Sequence, residues 1–314
     1  MVRLSERIQQ KNSSTINKDL VFQFGHSADG VIGIPGITND GGIIETSYFY
    51  GSAKPKNICV ISSQIGCPSR CSFCELGNEA FVRNLTPQEM YDQAILMLKT
   101  AAHYGIPIDS VQHKITIANT GEPLFNKELA SALEKLSELE VSFKISTVFP
   151  AAHSCYEVFQ HIALFASTYK EPVQLQISLI STSEEYRQKT AGIPVASFQQ
   201  IREAAEHWKH LNPQGRKMNL SLILSKEVPC NANDVSHIFP PELFRFRFRP
   251  YVPTYNGSKH GLLPVDKALL EAVKKDFESY GYEIGDWAIP TPTEQKFGLA
   301  SNIIRKKYLE MTQH

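Results

Sequence analysis

Short apolar strands alternate regularly with amphipathic helices from Asn57 onward. Thr86, Pro87 and Glu89 form a capping-box pattern, which predicts that the first helix starts there and runs to about Tyr104. The predicted strands are Ile58–Ser62, Lys114–Ala118, Ser142–Ser146, Val173–Leu179, Asn219–Leu224 and Phe244–Arg249. Such alternation implies a parallel sheet with helices outside it. Because six units are too few for a closed eight-fold barrel, we expect an α/β fold with a partial (βα)6 barrel.

The residues before Asn57 follow a different pattern, rich in glycine and short apolar segments. Val21–Phe24 and Gly42–Tyr50 are predicted strands, with a turn-rich segment between them. We therefore divide the chain into a small β-rich N-terminal extension (1–56), a partial barrel core (57–260) and a C-terminal helix and tail that close the barrel (261–314). In parallel βα folds the chemistry gathers at the carboxyl ends of the strands.

Three cysteines stand close together after the first core strand. Cys67, Cys71 and Cys74 have the spacing C-x3-C-x2-C. Three thiolates this close can bind three corners of a [4Fe–4S] cluster, which leaves the fourth iron without a protein ligand. An open iron of this kind can chelate S-adenosylmethionine (SAM), so the triplet indicates a radical SAM enzyme. We therefore predict a [4Fe–4S] cluster and SAM as the cofactors.

A zinc site and a disulfide framework are the alternatives for this triplet. Structural zinc sites normally take four ligands in two pairs, and the sequence has one triplet without a second pair. Six cysteines in 314 residues are sparse for a disulfide framework, and no signal-peptide pattern begins the chain. The remaining cysteines are scattered, at positions 59, 155 and 230. The cluster is therefore the interpretation that we adopt.

Charge and hydropathy limit the partners and the location. The formal net charge is zero, which argues against a protein that coats nucleic acid by bulk charge but allows a local basic patch. No apolar stretch approaches the ~20 residues of a membrane span. Reduced cysteines and a cluster both fit the cytoplasm. We expect a cytoplasmic monomer without a membrane partner.

Several residues near the strand ends are candidate SAM contacts. In radical SAM barrels, a Gly-Gly-Glu-like element after the second strand receives the methionyl ammonium, and Gly121 and Glu122 stand at this location. A carboxylate and exposed carbonyl groups suit a cationic amine. Ser146 and Ser178 are placed where hydroxyl groups can bond the methionyl carboxylate or the ribose, although capping of a turn is an alternative role. Phe73 lies between two of the cysteines, where its backbone can meet adenine.

The chain resembles the RlmN/Cfr family of radical SAM enzymes, which methylate C2 or C8 of adenine in RNA. The matching blocks are Cys59–Cys74, Phe81–Leu85, Thr120–Asn126 and Ile177–Leu179. The resemblance runs from about Asp29 to the C-terminus and is most specific in the cysteine block. Upstream, the segment Ile44–Tyr48 is similar to the family segment that holds a carboxylate near the site. The resemblance therefore implies that Glu45 is a catalytic acid or base, or a SAM contact.

The sequence departs from the family at the cysteines that make these enzymes methylate. The family has a methyl-carrying cysteine near its C-terminus, but the corresponding segment, Gln295–Ser301, contains none. Val60 occupies the position of the second catalytic cysteine, and Cys59 is predicted to point to the opposite face of the strand. Val252 stands where the family has an asparagine that contacts SAM. We therefore expect radical chemistry without the two-cysteine methylation, and a missing or replaced N-terminal RNA-binding domain.

Candidate substrate contacts follow from the last core strand. Phe244–Pro250 alternates strictly, so Arg245, Arg247 and Arg249 share one face. If this face lines the barrel, Arg247 and Arg249 can hold a carboxylate or phosphate of the substrate. The alternative is that the phenylalanines face the core while the arginines reach solvent. Tyr251 follows the strand and can stack on a base or sugar, or pack within its loop.

Three functions remain open. The first is a radical SAM enzyme that abstracts hydrogen from a small-molecule or peptidic substrate. The second is an RNA-modifying, RlmN/Cfr-like enzyme with a cysteine-independent mechanism, and the third is a non-catalytic protein that binds an iron–sulfur cluster or SAM. The neutral charge and the expected lack of the N-terminal domain favour the first over the second, so we expect a small-molecule or peptidic partner rather than RNA. An external donor such as flavodoxin or ferredoxin is expected to supply electrons.

Overall fold

The computed structural model describes residues 3–9, 11–18, 30–50, 56–285 and 303–312. The predicted strand Val21–Phe24 and the segment Gln295–Ser301 lie outside these residues. Within the described part of the chain, no helix is long and apolar enough to cross a membrane.

The secondary structure of the described residues alternates strands and helices through most of the chain. The strands are β1 (Ile16–Lys18), β2 (Val31–Thr38), β3 (Ile43–Phe49), β4 (Lys56–Ile61), β5 (Gln64–Ile65), β6 (Arg83–Asn84), β7 (Gln112–Ile117), β8 (Ser142–Thr147), β9 (Val173–Ile180), β10 (Met218–Leu224), β11 (Phe244–Pro250) and β12 (Ile284–Gly285). The helices are α1 (Leu4–Gln9), α2 (Pro87–His103), α3 (Leu129–Leu136), α4 (His153–Thr168), α5 (Glu184–Ala191), α6 (Phe198–Leu211), α7 (Ala232–Ser236), α8 (Tyr255–Lys259), α9 (Lys267–Ser279) and α10 (Ile303–Thr312).

The chain divides into two compact units. Unit 1 comprises Met1–Cys67, Ala80–Lys144 and Pro290–His314, and unit 2 comprises Pro68–Glu79 and Ile145–Ile289. The division predicted from the sequence, with boundaries after residues 56 and 260, stays a prediction.

In unit 1, antiparallel strands extend a parallel pair. β1, β2, β3 and β4 pair antiparallel in this order, and β4 pairs in parallel with β7. Helix α2 begins with the predicted capping box, in which the Thr86 side chain accepts a hydrogen bond from the N–H of Glu89. Gln93 of this helix bonds the Thr46 hydroxyl on β3 (3.3 Å) and the backbone N–H of Ser62 (2.8 Å). These contacts place α2 against the face of the sheet that carries Thr46.

In unit 2, β9, β10, β11 and β12 pair in parallel in this order. Phe246 and Phe248 of β11 pack edge-on against Phe277 of α9, with ring centroids 4.6 and 4.9 Å apart. Because side chains alternate along a strand, the arginines of β11 lie on the face opposite to this helix. The aromatic contacts therefore determine which face of β11 is polar.

The predicted α/β fold with a mostly parallel sheet is confirmed. The six predicted core strands are present as β4, β7, β8, β9, β10 and β11. Helix α3 begins at Leu129 and ends in a 3-10 turn at Ser137–Leu139. Asn126 lies before this helix, where its side-chain oxygen accepts a hydrogen bond from the N–H of Glu128 (3.1 Å).

Candidate active site

The predicted cluster ligands lie in the loop between β5 and β6. Cys71 is buried, Cys67 and Cys74 are partly exposed, and all six cysteines of the chain are thiols. Gly66 has a φ of +72°, and a Cβ atom there would lie 1.9 Å from the carbonyl oxygen of Ala80, so the chain needs glycine before the triplet. Among the described residues, no group of three or more His, Cys, Asp or Glu is arranged to hold a metal ion. Ligation of the cluster by the triplet therefore stays a prediction.

The carboxyl end of helix α5 packs against the cysteine loop within unit 2. Gly192 caps this helix with a φ of +72°, and a Cβ atom there would lie 2.5 Å from the carbonyl oxygen of Ser69. The Cys71 thiol donates a hydrogen bond to the carbonyl oxygen of Ala191 (3.3 Å). A side chain at position 192 would therefore push the loop away from the helix.

Asn256 of α8 holds the backbone of the cysteine loop and was not predicted from the sequence. Its side-chain amide donates hydrogen bonds to the carbonyl oxygens of Cys71 (3.2 Å) and Cys74 (3.1 Å). Its side-chain oxygen accepts a bond from the amide of Asn78 (3.0 Å). A Cβ atom at Gly77 would lie 2.4 Å from the Asn256 amide nitrogen. Asn256 is only 3% exposed, so these bonds form without competition from water.

The two residues before Asn256 add further bonds to the same loop. The Thr254 hydroxyl donates to the carbonyl oxygen of Phe73 (3.2 Å), and the Tyr255 N–H donates to the Glu75 carboxylate (2.8 Å). We call Thr254–Asn256 the clamp segment. The carbonyl of Phe73 is thus committed to the clamp segment, while the predicted contact of its backbone with adenine stays a prediction.

Two guanidinium groups lie near the thiols of this loop. Arg187 is fully buried on α5 and donates to the carbonyl oxygen of Val148 (2.7 Å). Burial lowers the pKa of Arg187 to about 10, and the nearby Cys71 opposes this shift. Burial likewise lowers the pKa of Arg249, against the opposing effect of Cys74. Positive charge at these positions favours the thiolate form that an iron–sulfur cluster requires.

Glu45 is buried in unit 1, where its carboxylate meets the backbone of α10. The N–H of Arg305 donates to Glu45 (3.3 Å), and the Arg305 side chain donates to the carbonyl oxygen of Ile43 (2.7 Å). Burial raises the pKa of Glu45 to about 7, although these backbone contacts and the Arg305 charge oppose the shift. The contacts give Glu45 a role in anchoring α10. Its predicted catalytic role stays a prediction.

Val60 faces the polar side of the unit 1 sheet. It pairs in register with Ser47 on β3 and Thr116 on β7, and the hydroxyls of both are buried without a hydrogen-bond partner among the described residues. Cys59 pairs with Tyr48 and lies on the opposite face, as expected. Burial raises the pKa of the Cys59 thiol. Cys59 therefore cannot present a thiolate at the position that Val60 occupies.

Gly121 and Glu122 follow β7 in a tight turn. Gly121 has a φ of +108°, and a Cβ atom there would lie 2.6 Å from Cβ of Gln64 and 2.8 Å from the Ser63 hydroxyl. The N–H of Glu122 donates to the Gln64 side chain (2.8 Å), and its carboxylate accepts the backbone N–H two residues later (3.1 Å). The buried hydroxyls of Ser63 and Thr120 have no hydrogen-bond partner in the described part of the chain. This turn can therefore still accept hydrogen bonds from a ligand.

The two predicted strand-end serines lie on the polar face of unit 2. The Ser146 hydroxyl accepts a long hydrogen bond from the Gln176 amide (3.5 Å). Ser178 is followed by two more strand residues and pairs in register with Ser221. Their predicted contacts with SAM stay predictions.

The three predicted substrate contacts have different surroundings: the two arginines lie on a polar strand face, and the tyrosine lies in an apolar cluster. Arg247 and Arg249 are partly buried and share the face of β11 opposite to the phenylalanines. Tyr251 is buried in an apolar cluster that also includes Cys71, and its hydroxyl accepts the N–H of Thr254 (3.0 Å). This arrangement favours the packing role for Tyr251, while a role of either arginine in substrate binding stays a prediction.

Comparisons with known proteins give relatives in sequence and in fold. None of the protein-family models matches the chain. The probable dual-specificity RNA methyltransferase RlmN of Flavobacterium psychrophilum is 26% identical over 246 residues, which are 71% of this chain and 67% of that protein. The dual-specificity RNA methyltransferase RlmN of Lawsonia intracellularis is 25% identical over 285 residues, which are 87% of this chain and 77% of that protein. A radical SAM methyltransferase from Sphaerobacter thermophilus has the same fold, with a TM-score of 0.71 at 17% identity, over 87% of this chain and 77% of that one.

These relatives confirm the resemblance to the RlmN/Cfr-like branch of radical SAM proteins. They also confirm the predicted class, a radical SAM enzyme with a [4Fe–4S] cluster and SAM as cofactors. The prediction that a small molecule or peptide is a more suitable partner than RNA is wrong, because the sequence relatives are RNA methyltransferases. That prediction relied on a net charge of zero, and a zero sum is compatible with a local cationic face such as that of β11.

The chemistry of the residues suits both cofactors, although the three thiols are not arranged as a metal site in the described part of the chain. Three cysteines on one loop, with the backbone held at Cys71 and Cys74 by the clamp segment, are the donors that a cluster with three protein ligands needs. The hydroxyls of Ser63 and Thr120 beside Gly121, which lack partners among the described residues, suit a ligand that donates hydrogen bonds, as the ammonium group of SAM does.

We predict that Glu45→Gln changes the pH dependence of stability. Between about pH 4.5 and 7 the folded protein keeps a proton on Glu45 that the unfolded chain has released, so the free energy of unfolding falls as pH rises through this window. Glutamine keeps the acceptor for the Arg305 N–H but cannot ionise. The variant should therefore be more stable than the wild type by roughly 3 kcal/mol at pH 8 and equal to it well below pH 4.5, as measured by urea unfolding. The exposed Glu134→Gln is the control, and an unchanged pH slope in Glu45→Gln would contradict the assignment.

We predict that Asn256→Asp weakens cluster binding. Aspartate keeps the shape of the side chain but cannot donate to the carbonyls of Cys71 and Cys74, and it adds negative charge beside the loop. Iron and sulfide content after anaerobic reconstitution should fall at least about two-fold, with a changed electron paramagnetic resonance spectrum. Asn233→Asp, at an exposed position on α7, is the control. Wild-type iron content in a stably folded Asn256→Asp would refute the role of the clamp segment.

Proposed function

We propose that the chain is a radical SAM enzyme that modifies RNA without the methyl-carrying cysteines of the RlmN/Cfr family. The observation that carries the proposal is the cysteine loop, which retains three thiols and is held in place by the clamp segment. Similarity to RlmN proteins over most of the chain supports RNA as the substrate. Val60 and the cysteine-free segment Gln295–Ser301 support a route that differs from theirs.

The proposed cofactor contacts follow from the candidate site. Cys67, Cys71 and Cys74 hold the [4Fe–4S] cluster, and Gly121 and Glu122 receive the amino group of SAM. Ser146, Ser178 and the backbone of Phe73 are the further proposed SAM contacts. A reduced cluster held by these three cysteines would supply the electron for reductive cleavage of SAM, the chemistry that takes a hydrogen atom from the substrate and leaves methionine and 5′-deoxyadenosine.

The chain's own groups position and protect this chemistry. The clamp segment fixes the backbone at two of the three thiols, and Arg187 and Arg249 favour their thiolate forms. Glu45, with a pKa near 7, can hold or release a proton at neutral pH, which supports its proposed role as acid or base. A one-electron donor such as flavodoxin or ferredoxin and a cytoplasmic location, where thiols stay reduced, fit the proposal.

The test of the proposal is RNA-dependent formation of 5′-deoxyadenosine. The reconstituted wild type should form it from SAM under reduction, with an increase on addition of RNA. Cys71→Ala should lose iron and lower the rate at least about 100-fold, whereas Cys155→Ala, at a buried position on α4, should keep both.

Three results would separate the alternatives. No 5′-deoxyadenosine from a fully loaded cluster would leave a binding protein rather than an enzyme. Formation that does not respond to RNA would remove RNA as the substrate. Labelled methyl transfer from SAM that requires a cysteine of this chain outside the triplet would contradict the cysteine-independent route.

We predict that Glu122→Gln weakens SAM binding while the cluster remains. Glutamine can still accept the backbone N–H that Glu122 accepts, but it loses the charge that attracts an ammonium group. The dissociation constant for SAM, measured anaerobically by calorimetry, should rise at least about 10-fold. The exposed Glu128→Gln is the control. Unchanged SAM affinity in Glu122→Gln would remove this residue from the site.

A further inference from the structure

Two buried amide side chains lie side by side on the polar face of unit 2. Gln176 of β9 and Asn219 of β10 pair in register, so their side chains leave neighbouring strands about 4.8 Å apart. They are 5% and 4% exposed. The side-chain oxygens of both have no hydrogen-bond partner within the described ranges. Each such buried acceptor destabilises the folded protein unless a ligand or water donates to it.

Arg245 continues the same row onto β11. It pairs in register with Asn219, and its Nε–H is also buried without a partner in the described part of the chain. A Cβ atom at Gly285 of β12 would lie 2.9 Å from the Arg245 guanidinium and 3.0 Å from Cγ of Arg247. Glycine at this position therefore leaves space for both arginines on the face.

A second row of polar residues lies one step further along the strands. Ser178, Ser221 and Arg247 pair in register across β9, β10 and β11. The opposite face of these strands is apolar and carries Phe246 and Phe248, which pack against α9. The two rows therefore form one contiguous polar surface on three strands, with acceptors on one side and guanidinium groups on the other.

We propose that this surface, formed by Gln176, Asn219, Ser221, Arg245 and Arg247 beside the proposed SAM contact Ser178, binds a phosphate-bearing ribonucleoside of the substrate. The amide oxygens accept from hydroxyl or amino groups of the nucleoside, and the guanidinium groups hold its phosphate. This inference rests on the proposed function, since it takes RNA as the source of the nucleotide. SAM is a less suitable ligand, because it carries a net positive charge and three arginines lie on this face of β11.

Asn219→Leu separates a binding role from an imperfectly packed core. Leucine has a similar shape and removes the unpaired oxygen. The midpoint of thermal unfolding of the free protein should therefore rise by about 2–4 °C. The dissociation constants for a single-stranded RNA decamer and for AMP should rise at least about 10-fold, while that for SAM should not change. All three are measured on the reconstituted holoenzyme.

A charge variant tests the other half of the surface. Arg245→Met should weaken RNA binding at least about 5-fold and lower the slope of affinity against salt by about one, because one phosphate contact is lost. Arg216→Met, at an exposed position before β10, is the matched control and should change neither.

Each of the following outcomes would overturn the inference. A higher unfolding midpoint in Asn219→Leu with unchanged affinity for RNA and AMP would show that the side-chain oxygens of Gln176 and Asn219 bind no nucleotide. Loss of SAM affinity alone would assign the surface to the cofactor, and failure of the wild type to bind either RNA or AMP would exclude a nucleotide. RNA-dependent 5′-deoxyadenosine formation in the wild type, with undiminished RNA binding in both variants, would reject the inference and leave the proposed function standing.

Discussion

The amide of Asn256 joins two segments that are far apart in sequence, and the shape of the cysteine loop depends on that contact. It donates to carbonyl oxygens 185 and 182 residues earlier in the chain. The loop has little regular structure of its own, so its backbone groups must find partners elsewhere. Thr254 and Tyr255 supply two more bonds to the same loop. The backbone at Cys71 and Cys74 is thus held by a segment that follows both cysteines in the chain, together with the contacts of the loop to α5.

The parts of the molecule that the sequence predicted are those governed by local rules. Short apolar segments between amphipathic helices placed the six core strands, and the Thr86 capping box placed the start of α2, because both patterns act within a few residues. The contacts of Asn256 obey no local rule, and nothing in its own segment connects it with the cysteines. For Glu45 the resemblance to a family supplied a position, but not its contact with Arg305 or its pKa near 7. These depend on burial and on a helix 260 residues away.

The alternation of side chains along β4 also explains why Cys59 cannot take the place of a cysteine at position 60. Cys59 and Val60 are adjacent in β4. The Cys59 thiol lies on the side of the sheet that α2 covers, and the Val60 side chain lies on the polar side. A shift of one residue in the pairing of β4 would turn all of its side chains to the opposite face, so it cannot exchange Val60 for Cys59 alone. The same alternation on β11 collects positive charge on one face of a chain whose net charge is zero. Net charge therefore gave the wrong partner, while the pattern within one strand indicated an anion-binding face.

Radical generation and the later chemical steps place different demands on the fold. The first needs a loop with three thiols, and that loop depends on contacts spread over α5, α8 and several glycines. The later steps in the RlmN/Cfr family depend on single cysteine side chains, which can be exchanged without disturbing the strands that carry them. Val60 lies within the regular pairing of unit 1, in register with Ser47 of β3 and Thr116 of β7. Exchange of these single cysteines can therefore change the later chemical steps while the cysteine loop and its many contacts stay the same. The buried polar groups of β9 and β10 that lack partners among the described residues are the proposed place for the chain's contact with the substrate.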